Sequence, residues 1–142
     1  MNKVLLDTDI FSYILRRYSP EIILQAAAYL VESQRFTISA VTVTEIVKGW
    51  HKQQRNDRVQ QFLSILPEVE VLVLDVEAHV LAGQIQADLE RTGQPIGLAD
   101  TLIAAIAIHH TLPLITGNLS HYQRIPAIGY RLELDTWRKG VR

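Results

Sequence analysis

The sequence predicts an α/β fold, a three-layer α/β/α sandwich with a mostly parallel central sheet. Three observations predict it. Short apolar runs alternate with stretches of helical period, the order that builds parallel strands joined by crossover helices. One of those stretches, residues 98–108, is apolar nearly all round and reads as a buried central helix. The first apolar run, residues 3–6, ends in the acid Asp7, as a buried strand does where a parallel sheet presents its site.

The elements follow in order. Residues 3–6 form the first strand, and Asp9 is placed to cap a helix over residues 10–15. Ser19-Pro20-Glu21 opens a second helix with proline at its first position, continuing over residues 22–31. Residues 36–40 read as a strand, and Thr42-Val43-Thr44-Glu45 has the capping-box spacing that opens a third helix. A polar break at 53–57 precedes a helix over 58–66, stopped by Pro67, and residues 69–74 alternate as a strand. Residues 77–91 are amphipathic, with Val80, Leu81, Ile85 and Leu89 on the apolar side, and Gly93 and Pro95 end that helix. After the helix over 98–108 come a strand over 112–116, a turn or short helix over 118–124, and an edge strand over 130–134.

Composition narrows the function. The 142 residues fit a single domain, 1–142, large enough for a self-sufficient core. With 48% hydrophobic and 20% charged residues the chain is neither disordered nor collagen-like. There is no cysteine, which removes disulfides, Cys-ligated zinc, iron–sulfur clusters and thiol nucleophiles together. Its apolar runs fall far short of the roughly 20 residues of a membrane span. Asp7 also interrupts the N-terminal run before a signal-peptide core can form. A soluble cytoplasmic protein with no membrane partner is expected. The formal charge is only −1, so any nucleic-acid contact must come from a local patch.

Sites in open parallel sheets lie beyond the carboxyl ends of the strands. That rule selects Asp7 at the end of the first strand, Glu45 and Asp100 in the first turns of helices, and Asn118 after Gly117. Each has a structural reading as well. Glu45 can close a capping box with Thr42, Asp100 can complement its helix dipole, Asp9 can be a plain N-cap, and Asn118 can be a turn residue. Together they are harder to dismiss. Two carboxylates about 4 Å apart repel by roughly 4 kcal/mol at an effective dielectric of 20, so three need a cation or a shared proton. No lysine or arginine lies between Gly93 and Leu119 to act as counter-charge. An all-oxygen set suits Mg²⁺ or Mn²⁺ over Zn²⁺, and an open Mg²⁺ site of that kind acts on phosphate esters.

Four segments carry a family resemblance: Leu5-Leu6-Asp7-Thr8-Asp9-Ile10, Thr42-Val43-Thr44-Glu45-Ile46-Val47-Lys48-Gly49, Gly97-Leu98-Ala99-Asp100-Thr101-Leu102-Ile103-Ala104-Ala105 and Ile115-Thr116-Gly117-Asn118. In this order and spacing the chain resembles the PIN-domain nucleases, and among them the VapC-type toxins of bacterial VapBC toxin–antitoxin pairs. The resemblance implies a PIN-like fold and a Mg²⁺-dependent endoribonuclease in which Asp7, Glu45 and Asp100 form the acidic cluster. It also implies a VapB-like antitoxin that blocks the site, and a structured RNA such as tRNA as substrate. Many PIN domains carry a fourth acid after the fourth strand. Here no Asp or Glu occurs between Thr101 and Leu132, and Asn118 stands in that region.

On that reading Asp7 and Asp100 bind the metal, and Glu45 binds it or orients the attacking water. Asp9, Thr8, Thr116 and Asn118 support them. RNA needs positive charge nearby. Lys48, Lys52 and Arg55 follow Glu45 at spacings of 3, 7 and 10, with Trp50 available to stack on a base and Arg16 and Arg17 across the cleft. A solvated charged face with a half-buried Trp50 accounts equally well for the stripe. His121 and Tyr122 read as packing residues near the cleft. Phe11, Tyr13, Ile14, Tyr18 and Tyr29 crowd the first two helices and suggest a homodimer or antitoxin surface, with core packing the rival. Two other functions remain open at this point. A haloacid-dehalogenase-type phosphatase would use Asp7-Thr8-Asp9, although Phe11 and the single late acid Asp100 depart from its pattern. A non-catalytic RNA-binding module on the same fold would have no need of all three acids.

Overall fold

Alternate residues of a strand face opposite sides of its sheet, and that rule divides this molecule into layers. The structure, a computed structural model, describes residues 2–138. In β1 (Leu5–Leu6), Leu5 enters an apolar cluster with Leu89, Ile103 and Leu114, whereas Leu6 enters another with Ile10, Phe11, Ile38 and Ile115. The partner strand β4 (Leu114–Ile115) repeats the division, because its register sets Leu5 opposite Leu114 and Leu6 opposite Ile115.

All described pairings are parallel. β4 lies between β1 and β5 (Leu134–Asp135), and β2 (Thr37–Ser39) pairs with β3 (Glu70–Leu72). β2 lies beside β1, and the two ladders stay separate there. One face of the sheet carries α1 (Thr8–Arg16), α2 (Pro20–Ser33), α3 (Ala40–Lys52) and α4 (Asn56–Ile65). The other carries α5 (Val76–Arg91) and α6 (Leu98–His109), followed in the chain by the short α7 (Leu119–Tyr122) and α8 (Arg124–Ala127). The expected layered α/β architecture with a parallel sheet is observed. Residues 103–107 of α6 are wholly inaccessible to solvent, as their composition requires. No helix among the described residues is long and apolar enough to cross a membrane.

The differences from expectation lie mainly at the caps and at the last strand, which is Leu134–Asp135 rather than residues 130–134. α1 is capped by Asp7, whose carboxylate accepts the Thr8 N–H; Asp9 sits inside the first turn. α3 starts at Ala40 behind the Ser39 cap, so Glu45 lies a turn further in and closes no capping box. Both corrections have one cause: each helix begins directly where its strand ends, leaving no loop for the later cap. On α5 the buried positions are Ala78, Ala82, Ile85 and Leu89, and Val80 faces solvent at 56% exposure. Phe11 and Tyr29 are core residues rather than a surface patch. The exposed large apolar groups of that region are Tyr18, Leu24, Leu30 and Val31.

Ile103→Ala should cost about 2–5 kcal/mol of stability, whereas Leu98→Ala on the 61%-exposed face of the same helix should stay within about 0.5 kcal/mol. Urea unfolding of both variants checks the assignment of the buried face.

Candidate active site

Parallel strands end on the same edge, and here two functional positions share it. Asp7 follows β1, Thr116 follows β4, and their backbones are level, with Asp7 N–H donating to the Ile115 carbonyl at 2.9 Å. Asp7 is 5% exposed. Its Oδ1 accepts from Thr8 N–H at 2.8 Å and from the Tyr122 hydroxyl at 3.2 Å, and its Oδ2 accepts from the Thr116 hydroxyl at 2.7 Å. The Tyr122 hydroxyl lies equally far, 3.2 Å, from Asp100 Oδ1 on the first turn of α6. Glu45 enters from α3 and accepts from the Thr8 hydroxyl at 2.5 Å, which also meets the Thr42 hydroxyl at 2.9 Å. Asp9 is held by the Ile10 and Gly117 N–H groups at 2.7 and 2.9 Å.

Asp7, Asp9, Glu45, Asp100 and Asn118 line one cleft of about 400 Å³, with Ser12 and Arg16 on its α1 wall. Burial, then Asp9, then Asp100 push the Asp7 carboxyl up to about 7, against the lowering effect of its Thr116 and Thr8 hydrogen bonds. Asp9 is raised as well, by burial first and then by Asp100, against the Ile10 and Gly117 N–H hydrogen bonds and, less, Arg138. No salt bridge among the described residues reaches any of the four acids. Nor does any group of three or more His, Asp or Glu among the described residues close into a metal-holding cluster. What the cleft offers is oxygen donors only, with a carboxyl whose charge is opposed by two neighbouring acids. That chemistry fits a hard divalent cation, which would relieve the repulsion.

The basic residues are distributed differently from the stripe expected. α3 ends at Lys52, and the turn at Gln54 takes a positive φ of 58°, so Arg55 leaves the face of Lys48 and Lys52. Arg55 instead forms a two-point pair with Asp57 at 3.0 and 2.8 Å. Lys48 and Lys52 are exposed on α3, outside the groove that leaves the cleft. That groove passes Arg16, Gly49, Trp50 and Gln53, then continues between Trp50, Arg58 and Phe62. Trp50 is half-buried, with the Arg58 guanidinium 5.4 Å above its ring. The Arg16 guanidinium rests against Tyr13 and Tyr18.

Sequence reasoning passed over two contributors. Tyr122 reads as packing because nothing local distinguishes a phenol that fills the core from one that reaches an acid. Gly117 carries a fainter signal, a glycine straight after a buried strand: a Cβ there would meet Asp9 Oδ2 at 2.6 Å. Asn118 donates its N–H to the Thr116 hydroxyl and its side chain meets His121 at 3.0 Å, which ties the turn after β4 together.

The PIN domain family model matches residues 4–126. The tRNA(fMet)-specific endonuclease VapC of Salmonella typhimurium is 35% identical over 132 residues, covering 90% of this chain and 96% of that protein. Ribonuclease VapC1 of Haemophilus influenzae is 31% identical over 136 residues, covering 95% and 98%. Among solved structures, DNA-bound VapBC from Salmonella typhimurium matches with a TM-score of 0.81 at 28% identity, over 97% of this chain and 100% of that one. VapBC-1 from nontypeable Haemophilus influenzae matches with a TM-score of 0.79 at 28% identity, over 96% and 98%.

An acid whose folded pKa is raised contributes stability that is complete below its unfolded value and is lost as pH rises through the folded one. For Asp7 the window runs from 3.8 to about 7. In chelator, urea midpoints should therefore fall across it, and Asp7→Asn should flatten the fall. Gly117→Ala should displace the Asp9 carboxylate and cost about 1–3 kcal/mol, read in the same unfolding assay.

Proposed function

The chain belongs to the PIN domain family, and on that premise we propose that it is a Mg²⁺-dependent endoribonuclease, the toxin of a type II toxin–antitoxin pair. The observation that carries the reading is the buried Asp7 carboxyl, raised to about 7 in a cleft it shares with Asp9, Glu45 and Asp100. Names of relatives support the substrate class, since proteins similar over nearly the whole chain are called ribonuclease or tRNA-specific endonuclease. Structured RNA, with tRNA as its leading example, is the proposed substrate. The VapBC structures to which the chain is similar support a VapB-like antitoxin as its partner. A homodimer is the proposed assembly, with Tyr18, Leu24, Leu30 and Val31 as its exposed apolar groups.

Asp7 and Asp100 would hold the ion, whose type, Mg²⁺ or Mn²⁺, follows from the all-oxygen donors. When bound, such an ion supplies Lewis acidity, neutralising phosphate charge and making water a competent nucleophile. The remaining steps fall to the chain itself. Glu45 faces the same cleft and serves as the base that orients the attacking water and takes its proton, and the Thr8 hydroxyl fixes its direction. Thr116 and Asn118 brace Asp7, and Asp9 holds the turn after β4 against α1. Arg16, on the cleft wall, supplies positive charge for an RNA phosphate, and Trp50 in the adjoining groove offers a surface for a base. Lys48, Lys52 and Arg55 would contribute only a more distant field.

The two other readings are disfavoured on the same geometry. A phosphatase nucleophile must present an unencumbered oxygen to phosphorus, yet Asp7 accepts three hydrogen bonds and is nearly inaccessible. A binding module has no use for a cluster of acids that repels RNA in the absence of an ion.

Purified protein should cut RNA with Mg²⁺ and not with chelator, and Asp7→Asn or Asp100→Asn should lower the rate by at least about 100-fold. Cleavage that persists in both variants would sink the assignment. Arg16→Ala should weaken RNA binding and reduce the salt slope by about one unit, whereas Arg55→Ala, already paired with Asp57, should leave the slope nearly unchanged.

A further inference from the structure

The ring of Tyr122 is completely buried in the apolar cluster with Leu5, Ile103 and Ile125. Its hydroxyl emerges between two acids, 3.2 Å from Asp7 Oδ1 and 3.2 Å from Asp100 Oδ1. A phenol has one proton, so this is a single donation shared between two acceptors. A phenol is protonated at neutral pH, so the hydroxyl is the donor to both acids. A phenylalanine would fill the same space, so packing alone gives no reason for the oxygen.

Asp7 shows what the oxygen does. A carboxylate has about four acceptor sites. Two hydrogen bonds occupy Oδ1, from Thr8 and Tyr122, and one occupies Oδ2, from Thr116. A single site, on Oδ2, is left for anything else. Asp100 is tied to the same hydroxyl by one oxygen only, and Tyr122 is the element the two acids share.

Building on the endoribonuclease reading, we propose that Tyr122 is a positioning residue, whose hydroxyl ties Asp7 and Asp100 together and leaves their remaining acceptor sites for one divalent cation. Its role is to preset the pair. Without the hydroxyl the two carboxylates repel with no common donor, and the ion must order them as it binds. Outer partners of metal ligands are typically worth 10–100-fold in affinity or activity.

The test titrates Mn²⁺ or Mg²⁺ alone into chelator-stripped wild type, Tyr122→Phe and Asp7→Asn by calorimetry. Wild type should bind one ion and Asp7→Asn none. Tyr122→Phe should bind one ion about tenfold or more weakly. In RNA cleavage its half-maximal ion concentration should rise by the same factor, with the rate at saturating ion within a few-fold of wild type. A merely structural tyrosine would shift the melting temperature and leave the ion affinity alone. Should Tyr122→Phe fold poorly, ¹⁹F NMR of fluorotyrosine-labelled wild type replaces it: one of the five tyrosines should shift with the calorimetric dissociation constant, and no shift overturns the proposal. Equal affinity in wild type and Tyr122→Phe, with Asp7→Asn inactive, overturns the role of Tyr122 and leaves the ion site standing. Wild type that binds neither ion overturns the ion site itself.

Discussion

A carboxylate at the end of an almost dry strand is the constraint on which this structure turns. Asp7 follows two fully buried leucines and is itself nearly inaccessible, so its charge cannot be dispersed into water. Proteins resolve such a conflict by supplying hydrogen bonds, by holding a proton, or by admitting a cation. The chain does the first with Thr8, Thr116 and Tyr122, and even so the carboxyl remains well above the usual range because burial, and then Asp9 and Asp100, oppose its charge. The fold therefore carries a local electrostatic penalty, which a divalent ion held there would remove.

The elements around that carboxylate are arranged by a short list of geometric facts. β1 and β4 are parallel neighbours, so Asp7 and Thr116 arrive at one level without any long-range steering. α1 begins immediately after β1, which turns Asp7 into its cap and sends Thr8, Asp9, Ser12 and Arg16 along one helical side into the cleft. Glu45 reaches the same space because α3 also begins directly behind its strand. α6 is buried by its apolar flanks, and Asp100 in its first turn is thereby presented to the cleft. A turn in which Gly117 touches Asp9 closes the rim.

The groove beyond the cleft shows how a charged stripe on a helix differs from the charge that lines a cleft. Lys48 and Lys52 share a helix with Glu45 but stand on its solvent side, and Arg55 has already left the helix and spends its donors on Asp57. Arg16 has less prominence in the sequence, yet it lines both the acid cleft and the groove toward Trp50. Tyr13 and Tyr18 hold its guanidinium in place, so its charge is presented with little loss of freedom.

Periodicity and punctuation in the sequence were enough to determine the layered parallel architecture, the buried character of α6 and the candidacy of Asp7, Glu45 and Asp100. These depend on local order: where an apolar run stops, which side of a helix is polar, which acid opens a helix. Cap positions depended on whether a loop separates strand from helix, and the chain's patterns at Asp9 and Thr42 mislead because they sit within the first turn of helices that start earlier. Only the tertiary structure decided that Tyr122 reaches two acids, that Gly117 abuts Asp9, and that Arg16 rather than Arg55 belongs to the cleft. Those are contacts between segments far apart in the chain, created by packing, and no local propensity encodes which distant group a buried hydroxyl or guanidinium will meet.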